Sequence, residues 1–214
     1  MLKIAITVPG CSGKTTIMHS SKFLDFIKKN NFKLIEERNY DSENWYIKML
    51  NGQLRPFESE VNFFRTQKED ICNSFSCNQN IIFDRHMVDT FIYTYVHKLN
   101  NLYNDEEIKL CDKLEKDMLA FLENNKLDLL IIITASNFEK IKNRRIESAK
   151  KEERRKLENK FMDMYQKFYE QYDKEKWIKH FNKYAKKVLF INNDFEIEES
   201  INILINEINN LIKK

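Results

Sequence analysis

Residues 3 to 16 run Lys-Ile-Ala-Ile-Thr-Val-Pro-Gly-Cys-Ser-Gly-Lys-Thr-Thr, and no other stretch of the chain narrows its fold as far. An apolar run of strand length (Ile4, Ala5, Ile6, Val8) breaks into a loop of small residues and then into helix-compatible sequence. A loop set between a buried strand and a helix turns successive backbone amides inward, making a concavity for anionic oxygens. Pro9, Gly10, Cys11, Ser12, Gly13, Lys14, Thr15 and Thr16 therefore read as a phosphate cradle. Lys14 supplies a point charge for β- and γ-phosphates, and the Thr15 hydroxyl a ligand for Mg²⁺. The pattern is GxxxxGK[ST] with one departure: Val8 stands where the first glycine belongs, and Gly10 follows two residues later. Such a loop serves GTPases, ATPases and kinases alike, so the rest of the chain must discriminate among them.

Five short apolar runs, at 2–8, 32–35, 80–83, 127–133 and 187–191, alternate with stretches whose apolar residues recur every three or four positions. Phe23, Phe26 and Ile27 form one such stripe; Phe91, Ile92 and Tyr95 another; Leu110, Leu114, Met118 and Phe121 a third. Alternation of this kind predicts an α/β fold whose parallel sheet is covered by helices on both faces. The segment from about 150 to 182 reads as one long helix, with Phe161, Tyr165, Phe168, Tyr169 and Tyr172 packing inward. The tail from Ile197 reads as an amphipathic helix docking on the sheet through Ile201, Ile205, Ile208 and Ile212. No repeat or boundary divides residues 1–214, which predicts one domain. Its length suffices for a sizeable core, and 3 glycines and 2 prolines leave little room for linkers.

Thirty-six basic against 33 acidic residues give a net charge of +3. That mixed surface argues against a nucleic-acid binder, which concentrates basic charge. Cys11, Cys72, Cys77 and Cys111 show no CxxC and no metal-ligand spacing with the four histidines. The N-terminal apolar run is too short for a signal peptide, and no run approaches the ~20 residues of a membrane span. A cytoplasmic protein that binds no membrane is the expectation.

In open α/β sheets ligands sit at the carboxyl ends of the strands. The third apolar run ends there in Asp84-Arg85-His86. Beside strand 1, Asp84 would face the metal on Thr15, and Arg85 would reach the transferring phosphoryl group or its acceptor. As a purely structural alternative, the two would form a strand-capping pair.

Ile-Ile-Phe-Asp84-Arg85, followed by Asp89, Phe91 and Ile92, resembles the Asp/Glu-Arg motif of the deoxynucleoside kinase family. The resemblance extends in order over most of the chain. The second apolar run ends in Glu36-Glu37, and Glu37 matches the family's general base, with Arg38 in place of a proline. Trp45 resembles the family's tryptophan on the next helix, and Tyr46 lies one residue from its sugar-contacting tyrosine. Phe57-Glu58 aligns with a Phe-Gln pair, and Arg65 stands seven residues on, as the family's arginine does. Residues 144–156 resemble the basic lid, with Arg144 and Lys150 retained and Glu153 (or Glu152) matching an acid near the sugar hydroxyl.

This resemblance implies a three-layer P-loop kinase fold with a five-stranded parallel sheet and a short arginine- and lysine-bearing lid. It implies ATP as phosphoryl donor, Mg²⁺ held near Thr15 and Asp84, a nucleoside 5′-hydroxyl as acceptor, and a homodimer. Glu37, Arg85 and Lys14 would be catalytic; Trp45, Tyr46, Glu58, Arg65 and Glu153 would bind the acceptor. A carboxylate at 58 in place of the amide would favour a base presenting amino or N–H donors. Three other readings use the same residues. A thymidylate-like monophosphate kinase would grip the acceptor's phosphate with Arg38, Arg65 and Arg85. A nicotinamide-riboside-type kinase shares the skeleton. A catalytically weak nucleotide-binding regulator would account for the altered loop and the thinned lid.

Overall fold

The computed structural model describes residues 1–7, 12–37, 45–75, 77–123, 125–150, 162–170, 174–194 and 197–213. Its centre is a parallel sheet of β1 (Lys3–Thr7), β2 (Phe32–Ile35), β3 (Asn80–Asp84), β4 (Leu129–Thr134) and β5 (Val188–Asn192), in the order β2-β3-β1-β4-β5. All five apolar runs form strands. β4 is buried along all six residues, as a central parallel strand covered on both faces must be.

Strand alternation sends Ile4, Ile6, Ile82, Leu129, Ile131 and Ile133 to one face. There they pack on α1 (Lys14–Met18), α2 (Ser21–Lys29) and α10 (Ile197–Ile212). Ala5, Ile81, Phe83, Leu130 and Ile132 point to the other face, against α4 (Pro56–Phe75), α5 (Val88–Leu99), α6 (Asp105–Leu122), α8 (Met162–Glu170) and α9 (Lys174–Phe181). The helices α3 (Trp45–Leu50) and α7 (Phe138–Ala149) lie near the carboxyl ends of the strands. Local chemistry sets the helix starts. Ser20 accepts from the Phe23 N–H (3.3 Å), and Asn104 and Glu107 form a reciprocal capping box at α6.

The predicted long helix is described as α8 and α9, with residues 151–161 and 171–173 outside the described set. Phe168 is buried there and Tyr165 and Tyr169 are half-buried. In α10, Ile201, Leu204 and Ile208 are buried, whereas Ile212 in the last turn is exposed. Among the described residues no helix is long and apolar enough to cross a membrane.

Candidate active site

The central strands bring the loop and the Asp-Arg pair together. Ile6 stands in register with Asp84, so the carboxyl ends of β1 and β3 open at the same level. Lys14 opens α1 and is buried, and its Nζ donates to Asp84 Oδ1. Burial, and then the charge of Arg85, push the Lys14 ammonium down to about 8, against the pull of Glu37 and Asp89. Thr15 and Thr16 sit exposed in the first turn of α1. Ser12 is fully buried, and its hydroxyl has no hydrogen-bond partner among the described residues. Val8, Pro9, Gly10 and Cys11 lie outside the described residues.

Arg85 has φ 72°, a left-handed conformation that a long side chain adopts only when its surroundings impose it. Those surroundings are explicit. Its backbone N–H donates to the Ile6 carbonyl (3.1 Å), its Nε to Glu37 Oε2 (2.8 Å), and its Nη1 to the Tyr93 hydroxyl (3.0 Å). Burial works against the guanidinium charge, but Glu37, Tyr93 and Asp89 together more than offset it, so the pKa of Arg85 is raised and the group stays charged. Glu37 and Arg85, expected to share the acceptor, are thus in direct contact.

His86 and Asp89 complete the turn. Asp89 accepts from the Thr7 hydroxyl and from the His86 N–H (3.2 Å), which pins the chain after β3 to the end of β1. His86 is 1% exposed; its Nδ1 accepts from the Val88 N–H (3.4 Å), and its Nε2 is buried without a partner among the described residues. Burial pushes its pKa down to about 3, so the ring is neutral with the proton on Nε2.

A cleft opens from here between the ends of β2 and β3 and the face of α4. Its apolar walls include Ile35, Phe63, Ile71 and Phe83; its polar groups include Glu37, Gln67, Arg85 and His86. Trp45 is buried on α3 and stands edge-on to Phe63 (6.2 Å between centroids), with half-buried Tyr46 beside it. Helical periodicity turns two of the expected acceptor residues outward here. Glu58 is exposed, and its Oε2 accepts from the Arg55 N–H (2.8 Å), so it caps the first turn of α4. Arg65, seven residues or almost two full turns later, is exposed as well. The inward face carries Glu60, Phe64 and Gln67 instead. Glu60 is buried; that burial, with Asp89 and Glu37 adding to it against Arg85, pushes its pKa up to about 8. Gln67 Oε1 accepts from the Thr90 hydroxyl (2.9 Å).

The sequence profile of the deoxynucleoside kinase family matches residues 5–213. The chain belongs to the deoxynucleoside kinase family. Direct comparison with curated protein sequences finds no match. Solved structures show the same fold. The deoxyadenosine kinase of M. mycoides with bound dATP superposes with a TM-score of 0.69 at 16% identity, covering 97% of this chain and 100% of the other. The same enzyme with bound dCTP gives 0.71 at 18% identity, covering 98% and 100%.

Of residues 144–156, expected to form a lid, the described part is the end of α7 and Lys150. Arg144 turns back toward the phosphate loop, where its Nη2 donates to the Asn193 carbonyl, while its Nη1 is buried without a partner among the described residues. Lys150 is exposed and pairs with equally exposed Glu147 (2.6 Å), a contact worth little. Glu153 falls outside the described residues. Among the groups given no role from the sequence, His86 and Asn193 had a signal, since they stand two residues after β3 and directly after β5. Tyr93 and Gln67 had none beyond helical periodicity.

Proposed function

We propose that this kinase transfers the γ-phosphoryl group of ATP to the 5′-hydroxyl of a deoxynucleoside held in the cleft against α4. The observation that carries this reading is the Glu37–Arg85 pair at the cleft mouth, beside the Lys14–Asp84 pair. A proton acceptor and a fixed cation thus stand next to the donor loop. Glu37 takes the proton of the 5′-hydroxyl as its oxygen attacks the γ-phosphorus in line. Arg85, held at two points, stabilises the charge on the transferring group. The bond from the γ-phosphorus to the bridging oxygen breaks, and ADP leaves.

The Lys14–Asp84 pair suits an exchange of partners. Arriving phosphates take the ammonium, and the freed carboxylate, with the Thr15 hydroxyl, offers hard oxygen ligands to Mg²⁺. The described residues hold no cluster of three or more His, Cys, Asp or Glu fit for a metal. That suits an ion carried mainly by the polyphosphate. When bound, Mg²⁺ neutralises phosphate charge. The second Nη of Arg144 is a further donor for the same phosphates.

The monophosphate-kinase reading has less support. Of the arginines it needs, Arg65 faces outward and Arg85 is held by Glu37, while Arg38 lies outside the described residues. The M. mycoides enzyme binds dATP and dCTP, so deoxyadenosine and deoxycytidine are the first acceptors to try. The decisive experiment measures ADP release from ATP with a panel of nucleosides and monophosphates. Release with a nucleoside and none with a monophosphate is expected; the reverse pattern would sink the proposal.

A further inference from the structure

Asn193 directly follows β5, is 3% exposed, and has no part in the reaction as written above. Its polar groups nevertheless tie four parts of the molecule together. Its Nδ2 donates to the Ser12 carbonyl (2.6 Å), and its Oδ1 accepts from Ser200 Oγ on α10 (2.9 Å). Its backbone N–H donates to the Thr134 carbonyl at the end of β4 (2.8 Å), and its own carbonyl accepts from Arg144 on α7.

The orientation of the side chain follows from its partners. A carbonyl can only accept, so the amide must present nitrogen to Ser12, and the Ser200 hydroxyl then serves the oxygen. The consequence lies one bond further on. In a planar trans peptide the C=O and N–H point in opposite directions. With the Ser12 carbonyl held on Asn193, the Gly13 N–H points away from it, to the opposite side of the peptide. The approach is close enough to dictate the next residue. A Cβ on Gly13 would lie 2.5 Å from the Asn193 amide nitrogen, and Gly13 has φ 87°.

We propose that Asn193 is a positioning residue for the donor phosphates. Its side chain locks the Ser12–Gly13 peptide with the N–H facing the donor, and its carbonyl holds Arg144 beside the same loop. Ser200 acts through it, by fixing which way the amide points. This rests on the donor-loop reading above.

Two substitutions test it. Asn193→Asp keeps the shape but sets a carboxylate oxygen against the Ser12 carbonyl. Ser200→Ala removes only the orienting hydroxyl. Affinity for a fluorescent ATP analogue and for deoxyadenosine and deoxycytidine is measured separately, alongside the KM for each substrate. Asn193→Asp is expected to weaken donor binding about tenfold or more, the scale of a hydrogen bond replaced by an unmatched buried acceptor. Nucleoside affinity should stay within about twofold. Ser200→Ala should lose about two- to fivefold at the donor alone, and the double variant should be no worse than Asn193→Asp, because the two act in series. If Asn193→Asp does not melt cooperatively, Ser200→Ala decides. Unchanged donor affinity in the folded variants, equal losses at donor and acceptor, or additive losses in the double variant overturn the proposal. A wild-type chain that fails to bind the ATP analogue removes the donor-site reading and this role together. Wild-type binding that the variants retain removes only the role of Asn193.

Discussion

At the scale of single residues, the site depends on side chains that are over-determined by their neighbours. Arg85 holds a left-handed backbone because three hydrogen bonds fix it, two of them from its guanidinium to Glu37 and Tyr93. A lysine has one point of contact where the guanidinium has a fork. Arg85→Lys is therefore expected to lower kcat by ~10²–10³, the range seen when a preorganised donor is lost. Tyr93→Phe, which leaves the Glu37 contact, should cost less than tenfold (about 1 kcal/mol). Tyr93→Phe matching the arginine variant in single-turnover kinetics would contradict this ordering. Glu37→Gln keeps a hydrogen-bond acceptor for Arg85 but cannot take a proton, so turnover should fall by ~10²–10⁴ in a chain that still melts cooperatively. Near-wild-type turnover would remove Glu37 as the base.

At the scale of elements, the packing of α4 decides which of its residues line the cleft proposed for the acceptor. Glu60, Phe64 and Gln67 recur at helical spacing on its inner face, and Glu58 and Arg65 fall on the outer one. The Glu58 carboxylate is occupied with the start of its own helix. Nucleoside KM should rise about tenfold in Gln67→Ala, which removes a polar group from the cleft wall. Arg65→Ala and Glu58→Gln should stay within about twofold, with stability changed by less than about 0.5 kcal/mol. A large KM effect at residue 58 or 65 would mean that the helix presents its other face to the substrate. Apolar periodicity marks α4 as a helix, but its inward polar residues carry no such label. Sequence spacing of seven fits Glu58/Arg65 and Glu60/Gln67 equally well; the packing of Phe64 and Ile71 on the sheet selects the second pair.

At the scale of the whole molecule, burying neutral imidazoles ties stability to pH. Burial pushes His86 down to about 3 and His97, hydrogen-bonded to the Tyr103 hydroxyl (2.9 Å), down to about 4. Both folded values lie below the ordinary 6.5, so the unfolded chain binds more protons as the pH falls through 6.5. Stability must therefore drop on acidification, by about 2 kcal/mol per histidine at pH 5. Glu60 slopes the other way. Its value is raised from 4.5 to about 8, so stability is lost as the pH rises across that interval. Urea unfolding should show a lower midpoint at pH 5 than at pH 7, and Glu60→Gln should flatten the decline toward pH 8. A stability of the Glu60→Gln chain that stays level between pH 7 and 5 would show that the histidines are not buried as described.

What the chain's sequence determines by itself is everything carried by local periodicity and local turn chemistry. The five strands, the α/β class, the loop ending in Lys14-Thr15 and the Asp84-Arg85 strand end are of this kind, because each is written in consecutive residues. The contacts that make a site of them are not. Glu37 meets Arg85 across 48 residues, and Asn193 reaches Ser12 across 181. Those meetings depend on strand order and on the register that sets Ile6 against Asp84. Which face of α4 turns inward depends likewise on packing against the sheet. Tertiary structure alone decides such pairings, since a side chain's chemistry states what it can bind and only the fold brings that partner within hydrogen-bond distance.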